Sequence, residues 1–316
     1  MNETNATAAL QPFASILGHS GYLSLFSLSL VMICPVQIFL NGLVIASLTM
    51  NPIFKKIPTR RNILATIAIV GVLTALALLF FSIAGIVLLS GQTTAGSGLC
   101  RFANSIFDTA IIMRNLTWAT LTVTTFIVIV YGVKKVKSVP VLLALVIMWI
   151  VSFTSAIPYY TAAYDYDSLL DGVICLPRLT SAAFIHLSIC FFGMELPSHA
   201  VVVIFVLGTI VYMKKNTRVN VFALESAMVK FAGLLLIVTF VTFAVNVFGI
   251  VPFALRQSAS LPLLVWLHLV WTYLLLSLPG ILTPLLMIAA FKPMRKTMKI
   301  LLTCRFKQNN ADAVTS

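Results

Sequence analysis

Long apolar runs alternate along this chain with short polar connections. Seven runs reach the length of about 20 residues that a helix needs to cross a bilayer: residues 22–49, 63–89, 101–131, 140–158, 181–213, 226–254 and 261–290. An odd number of crossings places the two termini on opposite sides. Periodicity within the runs is weak, as expected where lipid and neighbouring helices are both apolar. Pro35, Pro197, Pro252, Pro279 and Pro284 fall inside runs. Each removes a backbone donor and is expected to bend its helix. After the last run, Phe291, Met294, Met298, Leu301 and Leu302 recur at helical spacing, with Lys292, Arg295, Lys296 and Lys299 on other faces. That pattern predicts an amphipathic helix lying in the membrane interface. The expected fold is all-α and integral to the membrane. It comprises an extracellular N-terminus (1–21), a seven-transmembrane helix bundle (22–290), and an interfacial amphipathic helix with a cytoplasmic tail (291–316).

The third run stands apart because it carries Asp108, Arg114 and Asn115 in apolar surroundings. Ionisable groups at membrane depth are costly and need internal partners, so this helix is expected in the middle of the bundle. At 3.6 residues per turn, Asp108, Ile111, Asn115, Trp118, Thr122 and Thr125 share one stripe, read as the inward face.

Composition agrees with this class. The 316 residues are 60% hydrophobic and 9% charged, whereas soluble domains are nearer half apolar and a quarter charged. The net charge of +13 does not form a nucleic-acid-binding face. It sits in clusters between runs: Lys55, Lys56, Arg60 and Arg61; Lys134, Lys135 and Lys137; Lys214, Lys215, Arg218 and Lys230; and a basic tail. These clusters fall on one side of the seven-span topology, and only Arg101, Arg178 and Arg256 fall on the other. The positive-inside rule then sets the N-terminus outside and the tail in the cytoplasm. Residues 1–21 lack the basic start and compact apolar core of a signal peptide. They hold two glycosylation acceptors, at Asn2 and Asn5, which suits an extracellular segment of a plasma-membrane protein. Asp165, Asp167 and Asp171 give the long loop 159–180 an acidic rim.

Candidate chemistry is sparse. No nucleophile has a base nearby, no Gly-rich phosphate loop occurs, and no catalytic constellation stands out. The five cysteines show no metal-ligand spacing. Cys34 and Cys190 read as buried thiols, and Cys304 in the basic tail is either a palmitoylation site or an unmodified thiol. Asp108 either contacts a polar or cationic ligand group or is a structural aspartate paired with a neighbouring span. Arg114 needs a counter-ion, and Glu195 and Asp108 are the acids within the spans. Phe184, His186, Trp266, His268, Trp271 and Tyr273 fall near one end of spans five and seven. They suit a small-molecule pocket or an interfacial aromatic belt. A transporter or channel would need a continuous polar path, and Asp108, Arg114 and Glu195 are too few to trace one. No cofactor is implied.

At the level of motifs the chain resembles rhodopsin-like (class A) G-protein-coupled receptors. The marks are Asn41 with Val44 in the first span, Cys100 at the third, Trp149 with Pro158 in the fourth, Pro197 in the fifth, and Thr283-Pro284-Leu285-Leu286-Met287 in the seventh. The run Leu278-Pro279-Gly280-Ile281-Leu282-Thr283-Pro284, the basic helix ending at Cys304, and Ala223-Leu224-Glu225 before a sixth span without Cys-Trp-x-Pro are similar to fish-type odorant receptors. The resemblance implies a Cys100–Cys175 bridge, a small extracellular ligand, and a heterotrimeric G protein as partner.

The departures matter as much. Thr124-Thr125-Phe126 stands where the family has Asp/Glu-Arg-Tyr. Val72 lies near the place of the second-span aspartate, and Phe205 and Met287 replace two tyrosines. The family uses these groups to hold sodium or to rearrange hydrogen bonds on activation. Arg114 either takes the place where relatives hold the sodium ion, or snorkels or pairs locally. The seventh run has no lysine, so an opsin-type retinal Schiff base has no anchor there. A receptor-like scaffold that does not signal is the alternative these losses raise.

Overall fold

The computed structural model describes residues 19–89, 93–132, 136–159, 166–169, 174–177, 181–216, 223–255 and 275–303. Seven helices follow the seven apolar runs: α1 (His19–Met50), α2 (Pro58–Leu89), α3 (Thr93–Val130), α4 (Ser138–Ser155), α5, α6 (Ala223–Leu255) and α7 (Leu275–Ala290). The fifth, α5, is built from Ser181–Cys190 and Leu196–Lys215 joined by a π-helical turn, Phe191–Glu195. An eighth helix, α8 (Lys292–Leu302), closes the described chain. Among the described residues, six helices are long and apolar enough to cross a membrane, and Leu278–Ala290 is a shorter apolar helix. The protein is a multi-pass, all-α membrane bundle.

Two departures from the expected elements are local. The loop 159–180 contains a small antiparallel hairpin, β1 (Tyr166–Leu169) with β2 (Ile174–Pro177), in which Ser168 faces Cys175. β2 lies against α2 and α3, so the hairpin covers one end of the bundle. The other departure is α3, which starts eight residues before the predicted 101. Its 38 residues span about 57 Å, well beyond a hydrocarbon core of about 30 Å. The small and polar Thr93–Ser97 stretch can therefore be helical outside the lipid. Gly132, at φ 64°, takes the left-handed conformation just past the other end of α3, where a side chain would be strained.

α3 does sit centrally, but it shares that place with α2. The apolar windows of α2 and α3 are 61% and 56% buried, against 22% for α4. All six residues of the expected inward stripe of α3 are buried, and so are Ile112, Met113 and Arg114 between them. The mid-section of α3 is therefore wrapped on every side. Its threonines form no polar path. Thr117, Thr120, Thr124 and Thr125 donate to carbonyls one turn back, and Thr122 donates to the Ala119 carbonyl. Without water at this depth, the hydroxyls are satisfied by their own helix.

The α1–α2–α7 junction turns on Asn41. Pro284 has no N–H, so the Gly280 carbonyl of α7 loses its helical donor. Asn41 Nδ2 supplies one at 2.9 Å, while also donating to the Gln37 carbonyl at 2.8 Å. Gly71 of α2 makes room: a Cβ there would stand 2.5 Å from Asn41 Oδ1. Asn41→Ala is expected to leave a buried carbonyl unsatisfied, costing about 1–3 kcal/mol. Gly71→Ala is expected to act in the same direction by pushing the amide out of place. Denaturant unfolding of the purified protein checks both, and an unchanged midpoint in both variants would refute the role given to Asn41.

At the α8 end, Phe54, Phe231 and Phe291 are fully buried, with ring centroids 6.0 Å (Phe54–Phe291) and 5.8 Å (Phe231–Phe291) apart. Met287, Met294 and Met298 belong to the same hydrophobic core. Asn51 ties the α1–α2 connection to α8, donating to the Pro293 carbonyl at 3.2 Å and to Thr297 Oγ1 at 2.8 Å. On α8, Met294 and Met298 are buried against the bundle, and Lys292, Arg295, Lys296 and Lys299 are exposed, the two-faced pattern expected of an interfacial helix. Leu302, expected on the apolar face, is 59% exposed.

Candidate functional site

The hairpin end of the bundle brings Asp108 of α3 together with α4 and α5. Asp108, only 9% exposed, accepts a hydrogen bond from Ser155 Oγ at 3.4 Å. His186 Nε2 donates to the Ser155 carbonyl at 2.7 Å and lies 3.4 Å from Cys190 Sγ. Tyr159 packs edge-on against the His186 ring at 5.7 Å. Ile111 is buried one turn along α3. Of the expected ligand-binding residues, Asp108, Ile111 and His186 are therefore placed here.

Ser155 and Cys190 join them; Cys190 is the buried thiol that the sequence suggests, and Ser155 has no signal in the sequence. Cys190 does lie one helical turn from His186, a spacing visible in the sequence. The Asp108, His186 and Cys190 ligand atoms all lie within 4.8 Å of one another. A metal ion needs a ring lone pair, and the Ser155 carbonyl requires that His186 Nε2, the nitrogen beside Cys190, carry the hydrogen. The cluster as arranged is a hydrogen-bonded polar group between α3, α4 and α5.

The π turn shapes the same region. A π turn widens a helix locally and is frequent at functional sites. Here it precedes Pro197, which cannot donate to the Gly193 carbonyl. Ser198 Oγ donates to the Met194 carbonyl and, at 3.0 Å, to that of Glu195. His199 Nδ1 also donates to the Glu195 carbonyl, at 2.6 Å. Phe191 stacks on Phe243 of α6, and His199 tilts against the same ring. The Glu195 carboxylate acts through charge on both Asp108 and Arg114. The acid and base singled out from sequence thus share one electrostatic neighbourhood between α3 and α5.

Arg114 is 4% exposed. Its guanidinium lies 5.3 Å from the ring centroid of Trp118, one turn along α3, a cation–π contact worth about 0.5–2 kcal/mol. Arg114 also lines a small cavity with Asn41, Gly71, Thr74, Gly280 and Thr283. It therefore reaches the α1–α2–α7 junction.

Around Phe126, α3 and α5 meet through aromatic contacts. Phe126 packs edge-on against Phe205 at 5.1 Å and against Tyr131 at 6.2 Å. A Cβ at Gly208 would lie 3.2 Å from the Phe126 ring.

Cys100 is disulfide-bonded, and Cys34 and Cys190 are free and buried. Asn2, Asn5, His268, Trp271, Tyr273 and Cys304, as well as Trp266, lie outside the described residues. Phe184 and Cys175 are placed by backbone only, in α5 and β2.

No family model and no curated protein matches the sequence. Among solved structures, squid rhodopsin is similar, with a TM-score of 0.69 at 16% sequence identity, covering 94% of this chain and 91% of that one. The likeness establishes a rhodopsin-like seven-helix fold. It extends to the fold alone, since residues 261–290 contain no lysine that could carry retinal.

Proposed function

We propose that this protein is a plasma-membrane receptor of the class A G-protein-coupled type, binding a small extracellular ligand among α3, α5, α6 and α7. What supports this reading is Asp108: a buried carboxylate at the hairpin end of α3, joined to Ser155 and His186, on a rhodopsin-like fold. Ligands that carry a cationic or hydrogen-bonding group suit it, and the motif resemblance to odorant receptors favours a chemosensory role. The N-terminus faces outside with Asn2 and Asn5 glycosylated, and Cys100 pairs with Cys175 across the hairpin. The basic connections and the exposed cationic face of α8 meet a heterotrimeric G protein and anionic lipid in the cytoplasm, with Cys304 as a lipidation site.

The test is surface expression with a promiscuous G-protein reporter, screened against odorants and amines. Asp108→Asn is expected to weaken potency by about tenfold or more, the worth of one charge-assisted hydrogen bond. Unchanged potency at normal surface level rules out the contact.

One observation favours a second reading. Phe126 and Phe205 pack where relatives use polar switch groups, which suits a receptor-like protein that binds without coupling. Ligand binding with no reporter signal would select that reading, and ion current would select a channel.

A further inference from the structure

Arg114 is a cation enclosed by the bundle whose donors are unused. Nε, Nη1 and Nη2 have no hydrogen-bond partner among the described residues. The Trp118 ring meets the guanidinium without taking up its N–H groups. Glu195 acts on it through charge and not through a hydrogen bond. A buried charge whose hydrogen-bonding capacity is unmet is among the more costly features a fold can carry.

The cavity beside it has the matching chemistry. It lies between α1, α2, α3 and α7 and measures about 10 Å³, room for one water-sized sphere. No carboxylate lines it. Thr283 Oγ1, on the α7 wall, is buried and also lacks a partner among the described residues. Thr74 and Asn41 have their donors committed to carbonyls of Val70, Gln37 and Gly280. A guanidinium fork and a free hydroxyl therefore face a space of monatomic size with no opposing negative charge on its walls.

We propose that this cavity binds a single monovalent anion of halide size, chloride under physiological conditions, held by the Arg114 guanidinium and the Thr283 hydroxyl. The anion would join α3 to α7 beside the Asn41 junction and so stabilise one arrangement of the four helices. The proposal rests on the fold and these residues alone, so it stands or falls separately from the ligand reading.

The test is thermal unfolding of the purified full-length protein, titrated with chloride at constant ionic strength against gluconate, which is too large for the cavity. Sodium and choline salts are run in parallel. A ligand that binds the folded state raises the unfolding temperature in a saturable way. The expected result is such a rise with chloride and bromide, equal for both cations and absent with gluconate. Arg114→Gln should abolish it. Thr283→Val, which keeps shape and volume, should shift the chloride midpoint about tenfold upward, and so tests the site even where Arg114→Gln fails to fold. A stabilisation that tracks sodium and not chloride, no difference between chloride and gluconate, or a chloride response untouched by Thr283→Val would each overturn the proposal. The first would assign the stabilisation to a cation, and the second would leave water as the occupant.

Discussion

Phe291→Ala is expected to lower the unfolding free energy by about 3–5 kcal/mol, the range for removing a fully buried phenylalanine. Phe291 ends α7 and starts α8, and its ring is the common contact of Phe54 and Phe231. Three segments converge on it: the turn after α1, the start of α6, and the α7–α8 joint. The void could not collapse without moving α8, because Met294 and Met298 are buried on the same side and Asn51 holds Pro293 and Thr297. Equilibrium unfolding in detergent measures the loss. Leu302→Ala, at an exposed position, is the control and should stay within about 0.5 kcal/mol. A Phe291→Ala protein as stable as that control would show that the aromatic cluster does not hold this end of the fold.

Loss of the Cys100 bridge is the second large effect. Cys100→Ser is expected to cost about 2–4 kcal/mol, the usual worth of a native disulfide. The proposed pairing with Cys175 makes a sharper prediction than the magnitude. Cys175→Ser should cost the same, and the double variant should cost no more than either single one, because one bond is lost in each case. Additive losses, or a Cys100 bridge that survives Cys175→Ser in non-reducing peptide mapping, would assign Cys100 a different partner. A bond to Cys175 would tie the hairpin down, since β2 lies against α2 and α3.

Much of this architecture is written in hydropathy. Apolar length alone marks the spans, because a bilayer makes burial along a whole helix a property of composition. Asn41 is legible for a similar reason: an amide in an apolar run must be paired inside the protein. Its partner is not legible, because it depends on Pro284 in a span far along the chain. Gly71 is equally silent in sequence, since a glycine in a helix announces neither a close approach nor its absence. The hairpin escapes detection because four-residue strands in a long loop leave almost no periodicity. The amphipathic face of α8 can be read, but not what it packs against: the same pattern serves an interface or a protein surface. Asp108 and Arg114 could be singled out by charge, whereas the bond of Asp108 to Ser155, and that of His186 to the Ser155 carbonyl, depend on how α4 and α5 are rotated. In α5 that rotation is set by the π turn, which no residue type encodes directly.

A π turn holds one residue more than the α-helical path it replaces. The half of the helix before the turn is therefore rotated by about 100° relative to the half beyond it. In α5 the segment Ser181–Cys190 is indexed against Leu196–Lys215 by that single extra position. His186 and Cys190 look toward Asp108 on account of it. The half of α5 that faces Asp108 can thus be dialled round by gaining or losing one codon, while the other half of the same helix keeps its seat.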